Sequence, residues 1–189
     1  MTSPFSGDAL EAALCAIVPA VPEGSALAQV EACVLRMAES YLSDGRVFAE
    51  RGDLVNAHAS FAYAFGWLDA GAYLGLYGGR AVPSSYDFAA PIPPSLAGHL
   101  EEKTARYERL LSQALSSVEP APDAETPMFS AACRVREAGR SALADGQGHA
   151  GCGRRAEALG WYSYGYGWLD AGVQAGLFVI TGSREIFTV

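Results

Sequence analysis

Two stretches of this chain repeat each other without a gap, and that constrains the fold more than any other feature. SDGRVFAERGDLVNAHASFAYAFGWLDAGAYLGLY, ending at Tyr77, aligns with ADGQGHAGCGRRAEALGWYSYGYGWLDAGVQAGLF, ending at Phe178. A constant offset of 101 positions pairs Asp44 with Asp145, Gly52 with Gly153, Tyr63 with Tyr164 and Trp67 with Trp168. The block GWLDAG is identical in both copies. Two copies are too few for a solenoid, which needs three or more repeats, so a tandem pair of small bundles is expected. Packing about a pseudo-twofold axis, as in an isologous dimer, is open to such a pair.

Helix signals dominate both copies. Asp8 followed by Glu11 reads as a capping box opening a short first helix, which Pro19 and Pro22 end. Ser25 can cap a second helix, and Gly52 and Asp53 stop it and cap a third. The third carries Ala57, Phe61, Ala64, Leu68, Ala72 and Leu76 at helical spacing. In the second copy, helices are expected near 95–118, 126–151 and 154–177, with Thr126 and Pro127 as cap and first residue of the middle one. The fold class is all-α: two tandem three-helix up-and-down bundles, residues 1–79 and 95–189. The Pro/Gly-rich stretch 80–94 joins them. The tail FVITGSREIFTV reads as strand-like with no obvious partner.

The last helix of each copy carries too much glycine for its own good. Gly66, Gly71 and Gly75 recur as Gly167, Gly172 and Gly176. An interior helical glycine costs about 1 kcal/mol relative to alanine, so something must offset it. Ala62, Gly66 and Ala70 lie four apart, as do Ser163, Gly167 and Ala171. Such a ridge lets another backbone approach closely, and a tight helix–helix contact is expected within a module or between modules.

Composition excludes several functions. The net charge of -8 disfavours double-stranded nucleic acid and anionic membranes, which are bound through positive charge. No apolar run reaches the ~18 residues of a membrane span. Cys15, Cys33, Cys133 and Cys152 form no CxxC pair and have no histidine at ligand spacing, so a zinc site is not expected, and no motif calls for a cofactor. Scattered thiols and the lack of a secretion signal suit the cytoplasm. Arg51 and His58 match the loose spacing of some helical ribonucleases, but Leu159 replaces His58 in the second copy. No nucleophile, base and orienter compose a catalytic set, so the chain reads as a non-enzyme.

The candidate site residues are those the duplication keeps. Asp44, Asp69, Asp145 and Asp170 survive in both copies, although aspartate is a mediocre helix former. They could bind a cation or basic group, or accept hydrogen bonds from Tyr and Trp, or pair with Arg46 or Arg155. Tyr63, Trp67, Tyr164 and Trp168 belong to aromatic clusters on the last helices, dense enough to cover more than one helix face. Such rings are either core or the lining of a pocket or interface.

These residues resemble the archaeal family called domain of unknown function 357. Its pattern of a tyrosine–aspartate helix, a Gly-Asp turn and a final helix with YA-G-LDA falls on Tyr41, Asp44, Gly52, Asp53, Tyr63, Gly66, Leu68, Asp69 and Ala70. The second copy matches at Asp145, Gly153, Tyr164, Gly167, Leu169, Asp170 and Ala171. It departs at Ala142, where tyrosine is expected, and at Arg154, where aspartate is expected. The resemblance implies a helical bundle from an archaeal cytoplasm and no known activity. Two functions follow as expectations. The first is a non-enzymatic module that binds a protein partner or itself through the last helices. The second is a small-molecule or metal-binding protein with a site between helices, built from the repeated Asp and Tyr residues.

Overall fold

A computed structural model describes residues 6–83 and 86–188. Its elements follow one order twice. The first half contains α1 (Gly7–Cys15), β1 (Val18–Pro19), α2 (Ala26–Glu50), α3 (Leu54–Tyr73) and β2 (Tyr77–Gly78). The second half contains α4 (Ala97–Ser116), β3 (Val118–Pro120), α5 (Pro127–Gly151), α6 (Arg155–Gln174) and β4 (Phe178–Ile180), with short 3-10 turns at Pro94–Leu96 and Arg184–Ile186. The class is all-α, as the periodicity predicts.

Local chemistry explains the helix ends. The side chains of Ser25, Asp53 and Thr126 each accept from a backbone N–H three residues on, satisfying donors that a helix start leaves open. The first helix differs from expectation: Ser6 caps it by accepting from Ala9 N, and Asp8 lies inside the first turn. The α2–α3 and α5–α6 corners turn on Gly52 and Gly153, at φ 78° and 76°. Only glycine adopts that conformation without strain, and the following N–H groups, of Asp53 and Arg154, reach back to Phe48 O and His149 O.

The tail finds the partner that the sequence did not reveal. β4 pairs antiparallel with β3, placing Val118 opposite Ile180 and Pro120 opposite Phe178. β1 and β2 make the corresponding two-residue pairing in the first half. The four strand segments are too short and too distant in sequence to announce a pairing by periodicity.

α3 and α6 are central, and nearly every residue of both is buried. Each packs against its own copy's long helix and against the other. Their amino-terminal ends lie together, because Val55, Ala59 and Leu159 share one apolar cluster with Ile92, Leu96 and Leu100. The glycine ridges account for the close crossing. A Cβ on Gly66 would stand 2.2 Å from Tyr164 O, and one on Gly167 would stand 2.3 Å from Tyr63 O. The expected tight contact is therefore between the copies. Residues of both halves join in one hydrophobic core, including Leu10, Trp67, Phe88, Leu111, Tyr162 and Leu169.

Candidate functional site

Two buried carboxylates flank the glycine crossing. Tyr63 on α3 donates its hydroxyl hydrogen to Asp170 on α6, and Tyr164 on α6 donates to Asp69 on α3, at 2.9 Å. Because Tyr63 matches Tyr164 and Asp69 matches Asp170, the bonds are reciprocal, as a twofold relation requires. Both aspartates are 0% exposed. Neither pairs with Arg46 or Arg155, which hold Glu11 and Glu101 instead.

The surroundings of the two carboxylates have diverged. Asp69 receives Arg80 Nε and Nη2 on Oδ1 at 2.6 and 2.5 Å, and the Tyr86 and Tyr164 hydroxyls on Oδ2. Burial pushes its carboxyl upward, while the Arg80 guanidinium and the two hydroxyls favour the charged form. Thr181 stands where the repeat would place a second Arg80. Asp170 consequently has Tyr63 and the backbone N–H of Thr188 as donors, the latter at 3.3 Å. Burial raises its pKa to about 6, and the hydrogen bonds only partly oppose this. Each carboxylate is occupied by neighbours within the chain.

Asp44 and Asp145 are placed differently. Both are exposed, on α2 and α5. Among the described residues no group of three or more His, Cys, Asp or Glu is gathered in a way that could hold a metal ion. The four repeated aspartates thus separate into a buried pair and an exposed pair. His58 is also buried, with Nε2 2.9 Å from Ala156 O, and burial lowers its pKa. It is not presented to an RNA strand.

A cavity of about 430 Å³ opens on the second half, lined by the Tyr86 and Tyr164 side chains whose hydroxyls reach Asp69. One wall is the α5 face bearing Arg134, Ala138, Ala142 and Asp145. The other is the α6 face bearing Trp161, Tyr164 and Trp168, with Tyr73 and Tyr86 contributed from the first half and the connection. Tyr164, Trp168 and Asp145, three of the expected site residues, therefore meet on one cavity. Of their counterparts, Tyr63 and Trp67 are buried in the core and Asp44 is exposed on α2. In the first half Tyr41 stands where Ala142 stands in the second, and its ring lies 4.4 Å from that of Tyr63. The Tyr41 ring covers Tyr63 in the first half, whereas Ala142 offers a methyl group on the cavity beside Tyr164 in the second.

Arg80, Tyr86, Trp161, Arg134 and Tyr73 complete the arrangement, and only one signal in the sequence pointed to it. That signal was the departure from the repeat at Ala142. A second cavity of similar volume lies between α1, α2, α3 and residues Ala90–Ile92. Two of its polar side chains are engaged within the chain, Arg46 with Glu11 and His58 with Ala156 O. The face of α3 and α6 on which a partner was expected is turned inward, each helix against the other.

Fold and site define a helical protein of two tandem, interlocked copies with an aromatic-walled cavity on the second. A sequence model described as a protein of unknown function, DUF357, matches residues 8–77 and 106–178. The chain belongs to that family, in two copies. No curated protein and no solved structure matches it. Among the described residues no helix is long and apolar enough to cross a membrane.

Proposed function

We propose that this chain is a small-molecule-binding protein whose site is the cavity between α5, α6 and the connection. The observation that carries the reading is the asymmetry of the duplication at Tyr41 and Ala142. Tyr41 covers the Tyr63 ring in the first copy, whereas Ala142 in the second leaves the Tyr164 and Trp168 wall of an open cleft within reach of a ligand. The cavity is concave, with five aromatic residues on its wall and polar side chains at Arg134, Ser141 and Asp145, a combination that ligand sites use. Asp145, Tyr164 and Trp168 are assigned to its wall, whereas Asp69, Asp170, Tyr63 and Trp67 hold the copies together and Asp44 is a solvated helix position.

The test is a thermal-shift screen of amino acids, nucleotides, amines and carboxylates on the wild type and Ala142→Tyr. A ligand that binds only the native cavity raises the melting temperature of the wild type by mass action. The variant, with a tyrosine ring at that position as in the first copy, should not respond. Equal responses in both proteins, or none in either, would remove the proposal.

A second reading, self-association, draws on a different observation. Leu27 and Met128 occupy equivalent positions in the repeat, are both about half exposed, and border one groove with Tyr73. A concentration-dependent mass that Leu27→Glu abolishes supports this reading. A monomer at all concentrations rules it out.

A further inference from the structure

We propose that the open cavity takes a methylated or quaternary ammonium group. The inference rests on the binding reading above and adds the chemistry of the ligand. It follows from how the rings meet. Trp161 and Tyr164 stand at 86° with centroids 6.0 Å apart, and Tyr164 and Trp168 at 69° and 6.3 Å. Tyr86 meets Tyr164 at 61° and 5.1 Å. A flat heterocycle is held by one broad face or by two parallel ones. Rings set at steep angles form corners instead, and a corner of π-faces suits a rounded cation, because each face is the negative pole of the ring's quadrupole.

Charge complementarity points the same way. Asp145 supplies a carboxylate at the edge of the cavity. Behind the rings, Asp69 Oδ2 accepts both the Tyr86 and Tyr164 hydroxyls. At Tyr164 this donation polarises the phenol toward its ring and strengthens the negative face it offers, whereas Tyr86 also accepts from Arg80 Nη2, which offsets the effect there. The chain as a whole carries -8, which draws cations toward it. Arg134 is the one cation on the wall, and it is exposed. Eleven residues separate it from Asp145 on α5, about 16 Å at the helical rise, which is farther than the ~8 Å screening length at physiological salt. It is placed to meet an anionic end of the same ligand. Methyl groups matter because an unmethylated ammonium is strongly hydrated and resists transfer to an aromatic wall.

The experiment titrates the full chain with choline and tetramethylammonium by calorimetry, following tryptophan fluorescence in parallel. Controls are ethanolamine and 3,3-dimethylbutan-1-ol, the uncharged carbon analogue of choline. Choline and tetramethylammonium should saturate, and both controls should bind roughly tenfold weaker or worse. Ala142→Tyr should abolish binding, and Asp145→Asn, at an exposed position, should weaken it a few-fold with the fold unchanged by circular dichroism. A trimethyl-lysine peptide run beside choline assigns the group: tighter binding of the peptide points to a modified protein side chain, tighter binding of choline to a free metabolite. If the uncharged analogue binds as well as choline, the cavity is a site but not for a cation. If no methylated ammonium binds while another compound in the thermal screen separates wild type from Ala142→Tyr, the ligand class fails and the site survives. If that screen is also silent, both fail.

Discussion

Gly66 and Gly167 pack against each other across the crossing of α3 and α6, and a Cβ on either would lie 3.1 Å from the other's Cα. The same Cβ atoms would meet carbonyl oxygens of the opposite helix at still shorter distance, and a backbone cannot swing aside as a flexible side chain can. The contact gives a physical reason for the glycine content of the two last helices. What glycine costs in helix propensity is offset by the packing of two central helices and by the Tyr–Asp bonds this approach brings into range.

Gly66→Ala and Gly167→Ala should therefore each destabilise the protein, by ~3 kcal/mol, at the upper end for overpacking of a core. Gly148→Ala, on the exposed side of α5 with open space around the added Cβ, should instead stabilise by ~0.5–1 kcal/mol through helix propensity. Urea denaturation of the three variants checks this. Equal effects at all three positions would contradict the close crossing.

Arg80→Met should be more damaging than its partial exposure suggests. It leaves the Asp69 carboxylate buried beside two hydroxyls with no cation, a change that costs about 3–5 kcal/mol when an ion pair is broken from one side. Arg80→Lys should restore little, because one ammonium cannot reproduce the Nε and Nη2 contacts to Asp69 together with the Nη2 contact to the Tyr86 hydroxyl. Asp69→Asn combined with Arg80→Met should recover part of the loss. The measurement is the coupling energy of the double-mutant cycle.

Asp170 makes stability depend on pH in the direction opposite to a salt-bridged aspartate. Its folded pKa of about 6 lies above the ordinary 3.8, so the folded state binds the proton more tightly than the unfolded state does. Stability is then highest below about pH 4 as far as this group is concerned. It declines as pH rises to about 6, by roughly 1.4 kcal/mol per unit of displacement. Asp170→Asn should remove this slope and raise stability at pH 7. Comparing urea midpoints of wild type and variant between pH 4 and 8 isolates the effect from that of Asp69. Parallel curves would show that Asp170 does not titrate in this window.

Tyr41→Ala should remove from the first half the ring that Ala142 leaves out of the second. Tyr41 packs on Tyr63 and is half-buried, so its loss should cost ~2 kcal/mol as the lost packing of a partly buried aromatic. Because Ser60 and Met37 stand where the repeat has Trp161 and Ala138, the variant should still take up one molecule of any ligand the wild type binds once. Calorimetric stoichiometry reads this directly.

The helices, their caps at Ser25, Asp53 and Thr126, the Gly52 and Gly153 corners and the close approach of Gly66 to a backbone were legible from the chain. Each is written in neighbouring residues, through hydrogen bonds that close within five positions or through a spacing of three to four, and the duplication states most of these signals twice, Arg154 lacking the side-chain cap that Asp53 supplies. The reality of a site was not legible in that way. Asp69 and Asp170 occupy identical GWLDAG blocks, yet one meets Arg80 and the other meets none, because the segments after β2 and β4 differ. The tail's pairing with Val118–Pro120 joins segments some sixty residues apart that carry no local mark. Whether a repeated ring is core or cavity wall depends on what stands across from it, and across from Tyr164 the wall includes Ala142, where the first copy has Tyr41. Local order followed from short-range propensity in the sequence itself. The open cavity and the unequal fates of two equal aspartates were decided only by tertiary packing, since burial and electrostatic environment belong to the space between elements.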